Sequence, residues 1–133
     1  MYLALLDEKE KELFLGLAYD LASADGDYSD EEKAVINGYC QEMQIPFESK
    51  MIKPVDDIIA EINSRSDERV KKIFILELIG LAMSDDIYGD NEKALIRKME
   101  KEFNADKDFA EKCENILNEY IAFQGRINQL ILE

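Results

Sequence analysis

The chain of 133 residues predicts an all-α fold, a six-helix bundle made of two pseudo-repeated three-helix units that together form one domain over residues 1–133. Three observations lead there. Apolar residues recur at helical spacing along the chain, and no alternating run or hairpin dipeptide competes with them. Turn-forming residues (Pro46, Pro54, Asn104 to Asp106) fall between the periodic segments. Finally, Leu21 to Ile36, LASADGDYSDEEKAVI, reads again 60 positions later as Leu81 to Ile96, LAMSDDIYGDNEKALI, with nine of sixteen positions identical.

The first helix is opened by Asp7 and Glu10, which have the spacing of a capping box. Leu13, Phe14, Leu17, Ala18 and Leu21 form its buried stripe. The second begins near Asp30, carries Val35, Ile36, Tyr39, Cys40 and Met43, and is ended by Ile45, Pro46 and Phe47. The third opens at Pro54 and sets Val55, Ile58, Ile59 and Ile62 on one side. Ser66 is expected to cap the fourth, which is apolar nearly all round from Ile73 to Ala82 and so reads as the most buried element. The fifth starts near Asp90 with Leu95, Ile96, Met99 and Phe103 facing inward. The last is expected from about Lys107 to near Leu132. Its inner side is expected to hold Phe109, Cys113, Ile116, Leu117, Tyr120, Ile127, Leu130 and Ile131, with Gly125 as a point of weakness.

Composition narrows the function. A chain of this size buries roughly two thirds of the surface exposed by its unfolded form, so it needs no metal or disulfide staple. The net charge of −14 argues against nucleic acid and anionic membranes, and favours cations or the basic surfaces of other proteins. Cys40 and Cys113 lie at apolar-face positions and read as core thiols. No apolar run approaches a membrane span, and the N-terminus lacks the cationic start of a signal peptide, so the cytoplasm is expected. There is no His, the commonest general base, and no glycine-rich phosphate loop, so a non-enzymatic role is expected. Two small basic groups, Arg69, Lys71 and Lys72, and Arg97, Lys98 and Lys101, read as solvated helix faces with i, i+4 charge pairs.

The acidic segment Asp25-Gly26-Asp27-Tyr28-Ser29-Asp30-Glu31-Glu32 has two readings. In one it is helix punctuation. Gly26 provides a helix exit, Ser29 and Glu32 form a capping box, and Asp30 and Glu31 favour the first turn of the next helix. That reading leaves Asp25 unexplained, because a carboxylate at a helix C-terminus opposes the macrodipole. In the other reading Asp25, Asp27, Asp30 and Glu32 offer oxygens to a hard cation, Ca²⁺ or Mg²⁺, with Asp85, Asp86, Asp90 and Glu92 in the second copy. Like charges ~4 Å apart repel by about 4 kcal/mol at an effective dielectric of about 20, so an ion has repulsion to relieve. With Gly26 set as the sixth position of an EF-hand loop, Asp25, Tyr28, Ser29 and Glu32 match its second half, but Leu21 and Ser23 fail its first. The second copy has Asp86 in place of the glycine and Gly89 in place of Ser29.

Three features together resemble the TerB-like family, the helical domain of bacterial tellurite-resistance operons and of the N-terminal part of certain membrane-anchored DnaJ-type co-chaperones. They are Ala22 to Glu32, which is similar to the signature A-x-x-D-G-x-(apolar)-S-x-x-E, the preceding LFLGLAYDLA helix, and the degenerate copy from Leu81 to Glu92. The resemblance extends from about Leu3 to about Tyr120. It implies an all-helical fold of two repeats and a non-enzymatic role in stress response. It also implies a divalent-metal site around Asp25 and Glu32, with Asp85 and Glu92 as partners. Asp86 and Gly89 depart from the signature and put a second intact site in question. The expected function is therefore a cation-binding module that contacts partner proteins, and the alternative is a metal-independent acidic interaction domain.

Overall fold

The structure is a computed structural model and describes residues 1–24, 29–46, 53–84 and 88–133. After a 3₁₀ turn at Leu3–Leu5 come α1 (Glu8–Ala22), α2 (Asp30–Met43), α3 (Val55–Arg65), α4 (Glu68–Ala82), α5 (Asp90–Glu102) and α6 (Phe109–Leu132). No strand occurs among the described residues, and no described helix is long and apolar enough to cross a membrane.

The repeat is geometric as well as sequential. α1 and α4 are both 15 residues long and are offset by the same 60 positions that relate the acidic segments. The starts of α2 and α5 keep that offset. So do the ends. Gln44 and Asn104 both take the left-handed region, with φ of 57° and 53°. The amides of Ile45 and Ala105 then donate to the carbonyls of Cys40 and Glu100, each at 3.0 Å, closing Schellman-type turns. α1 packs on α2 as α4 does on α5, and α1 and α4 pack on each other. Phe14 and its repeat mate Phe74, both fully buried, meet edge-to-face with ring centroids 5.4 Å apart. A side chain touching its own mate lies on the pseudo-twofold axis, so that axis runs through the centre of the core.

The third helices break the symmetry. α3 lies against α1 and α5, and an exact mate would lie against α4 and α2. The 3₁₀ turn takes the place beside α2 and α4 instead, and α6 packs on α4 and α5. The amide of Tyr2 donates to Oε1 of Glu77 at 2.8 Å and that of Leu3 to Oε2 of Glu42 at 3.0 Å, which fixes the turn there. As expected, α4 is buried along most of its length and both cysteines are buried and free. α1 shares that central role.

Four expectations are corrected. Asp67, not Ser66, caps α4, because its Oδ1 accepts from the Val70 amide at 2.9 Å. The Ser66 hydroxyl instead donates to Glu10 at 2.7 Å and ties the α3–α4 joint to the start of α1. α6 begins at Phe109 rather than Lys107, where Oε2 of Glu100 accepts the Ala110 amide at 2.7 Å and satisfies an open helix end. Among the described residues the basic groups show no i, i+4 ion pair. Arg97 reaches Glu114 on α6 at 3.1 Å, and Lys98 pairs with Asp56 on α3. The largest correction concerns α6. Only Ala110, Cys113 and Leu117 are buried, while Ile116, Tyr120, Ile127, Leu130 and Ile131 are exposed. α6 has 24 residues against 11 in α3, and the bundle is only deep enough to cover its first turns.

Candidate functional site

Each acidic segment joins the end of one central helix to the start of the next. In the first copy Ser29 has extended backbone and its Oγ accepts from the Glu32 amide at 3.1 Å. The Ser29 amide donates back to Oε1 of Glu32 at 3.2 Å, completing the capping box. In the second copy Gly89 has no side chain to give, and half of the box remains, with the Gly89 amide donating to Oε1 of Glu92 at 3.0 Å. Capping engages Oε1 in both copies.

Acidic residues at helix starts are ordinarily exposed. Glu32 and Glu92 are instead buried, at 2% and 3% exposure. A carboxylate is rarely buried to that degree unless it is paired or hydrogen-bonded. Asp30 and Asp90 lie on the surface one residue into their helices, and Asp30 approaches Lys33 at 3.8 Å. Asp25, Asp27, Asp85 and Asp86 lie outside the described residues, as do Gly26 and Tyr28. Among the described residues, no three acidic or thiol groups come together as a metal cage.

The two copies do meet at their edges. The Asn91 side chain, in the first turn of α5, donates to the carbonyl of Ala24 at 3.2 Å, where α1 has just ended. α1 also packs on α5, and α2 on α4. The end of one central helix and the start of the opposite capped helix are therefore neighbours, a relation that sequence spacing alone left open.

Two further residues belong to this region and were missed. Asp20 lies in the last turn of α1, just before the acidic connection. Its Oδ2 is buried without a hydrogen-bond partner among the described residues, and burial raises its carboxyl above the ordinary range. An acid in a last helical turn with no basic companion was the available signal. Tyr88 stands just before the second cap. Its hydroxyl donates to Glu114 at 2.6 Å, and Lys93 lies 5.2 Å from its ring centre. Burial, then the hydrogen bond to Glu114 and its negative charge, push the phenol well above its usual range. Tyr88, Glu114 and Arg97 thus anchor the second acidic connection to α6.

The whole arrangement has a counterpart of known structure. The crystal structure of a tellurite resistance protein from Nostoc punctiforme superposes with a TM-score of 0.65, covering 94% of this chain and 82% of that one at 22% identity. The two chains share a fold. The resemblance to TerB-like proteins read from the residues is thus met at the level of the fold. No protein-family model matches the chain, and no curated protein is similar to it in sequence. In the fold described here, the duplicated caps open the helices that follow the two central ones.

Proposed function

We propose that the chain is a non-enzymatic TerB-like module that takes a divalent cation, Ca²⁺ or Mg²⁺, at its acidic helix–loop–helix segments and acts by contacting other proteins in a cytoplasmic stress response. One observation carries the reading: Glu32 and Glu92, repeat mates, are both buried carboxylates, in copies of the repeat that touch through Asn91 and Ala24. Capping alone asks only for a carboxylate at a helix surface. The donor set around them is carboxylate throughout and the chain has no His, which suits a hard cation rather than Zn²⁺. Asp20, in the last turn of α1 and with a buried oxygen lacking a partner among the described residues, adds a further acid just before the first segment. Asp25, Asp27, Asp30 and Glu32 would hold an ion in the first copy, and Asp85, Asp86, Asp90 and Glu92 in the second. Its charge would offset carboxylate repulsion and fix the angle between the flanking helices. Likeness to a tellurite resistance protein supports the stress-response setting.

A second reading has its own support. Glu32 and Glu92 are both engaged in capping, so the acidic face is also consistent with a metal-independent domain that docks a basic partner surface.

Terbium luminescence separates the two. The chain has six Tyr and no Trp, and Tyr28 and Tyr88 lie inside the two segments. Sensitised emission is expected to rise on titration and to be competed away by Ca²⁺. Glu32→Gln keeps an oxygen for the cap but removes the charge. Combined with Asp25→Asn, it is expected to abolish the signal while leaving the helical content unchanged. Flat emission, together with a melting temperature indifferent to Ca²⁺ at matched ionic strength, rules out the cation and leaves the basic-partner reading.

A further inference from the structure

The large apolar side chains exposed among the described residues are confined to two places, the first five residues and α6 from Ile116 onward. On α6 they are ordered. Phe109, Cys113, Ile116, Tyr120, Phe123, Ile127 and Leu130 follow one another at alternating steps of four and three, the heptad seam of a coiled coil. The bundle buries a different, partly overlapping stripe of α6, formed by Ala110, Cys113 and Leu117. The described residues of its own chain therefore leave the seam from Ile116 outward largely uncovered, and Leu130 is 81% exposed.

The charges beside the seam select what covers it. Lys112, Glu119, Arg126 and Glu133 occupy one flanking register and alternate in sign. In a parallel pair this register meets the other flank, where Leu117, Gln124 and Ile131 offer no charge. In an antiparallel pair it meets itself. If Tyr120 is layered on the partner's Phe123 and Ile116 on the partner's Ile127, then Glu119 falls opposite the partner's Arg126. Lys112 then falls opposite the partner's Glu133. Every charged flanking contact joins opposite signs, and twofold symmetry makes each one twice.

The same register explains a groove. Between the 3₁₀ turn, α4 and α6 lies an open, mainly apolar trough of about 720 Å³, lined by Tyr2, Leu5, Leu76 and Ile116. Arg69, Lys72 and Lys112 also line it, three cations gathered in a chain of net charge −14. Antiparallel pairing delivers the partner's Leu130 level with Cys113, at this trough, and the partner's Glu133 to its basic side. We propose that this face binds a second copy of the chain, forming a twofold dimer through antiparallel pairing of α6, with each α6 tip seated in the other's trough.

Sedimentation equilibrium and light scattering of the full chain test this. The expected mass is twice 15.3 kDa. Arg126→Glu alone and Glu119→Arg alone are each expected to raise the dissociation constant by roughly tenfold or more, since each sets like charges together twice. The double variant restores opposite signs and is expected to recover the dimer. Leu130→Glu is expected to give monomer. These side chains are exposed, so circular dichroism should show an unchanged fold. A monomer at all concentrations overturns the proposal. So does a dimer indifferent to the single charge reversals, or one weakened by them that the double variant fails to rescue.

Discussion

Four acids are buried among the described residues, Glu10, Glu32, Glu77 and Glu92, and each accepts a backbone amide at the start of an element. Burial is tolerable for them because charge-assisted bonds replace lost water. Asp20 differs, since its Oδ2 is buried without a hydrogen-bond partner among the described residues and burial raises its pKa above 3.8. A raised carboxyl means that the folded state binds more protons than the unfolded one in the interval between the two pKa values. Stability is therefore reduced above the folded pKa and recovers as pH falls through it towards 3.8. Asp20→Asn is expected to stabilise the protein at neutral pH by up to about 1 kcal/mol, after allowance for solvent screening of the half-exposed group. It is also expected to flatten the mildly acidic limb of a urea-denaturation series measured against pH. If a cation site includes Asp20, the same variant weakens terbium binding, and the two readouts move independently.

At the scale of elements, the caps carry the repeat more faithfully than the helix interiors. Asp7 and Asp67, Ser29 and Gly89, and Gln44 and Asn104 occupy matched termini. Gln is poorly suited to the left-handed region, where its Cβ crowds the following carbonyl, while Asn is better tolerated there. Gln44→Gly is expected to raise stability by about 1 kcal/mol, seen as a higher melting temperature, and Asn104→Gly to give a smaller gain. Cap chemistry was legible at Asp7, Ser29 and Glu32 because those residue types at that spacing have few other local uses. It was misread at Ser66, where Ser and Asp67 stand side by side and only the position of Glu10, 56 residues away, decides between them.

The whole molecule carries a net charge of −14 around a single apolar cluster drawn from all six helices. Self-repulsion of that size destabilises the compact state, and added salt screens it. The melting temperature is expected to climb with sodium chloride and then level off. At equal ionic strength, Ca²⁺ is expected to raise it further where the wild-type acids are present, but not in the Asp25→Asn, Glu32→Gln variant.

Periodicity and repetition by themselves determined the helical class, the six elements, the doubled plan and the burial of Phe14, Phe74 and both thiols, because local spacing dictates which face of a helix is apolar. They also marked the acidic segments as a pair. Tertiary structure alone decided that Phe14 meets its own mate, that Glu32 and Glu92 are buried, and that Ala24 and Asn91 bring the two segments together. It alone showed that the outer half of α6 leaves the bundle. An apolar stripe states that a surface favours burial, but contacts between distant segments determine whether that surface is covered by its own chain.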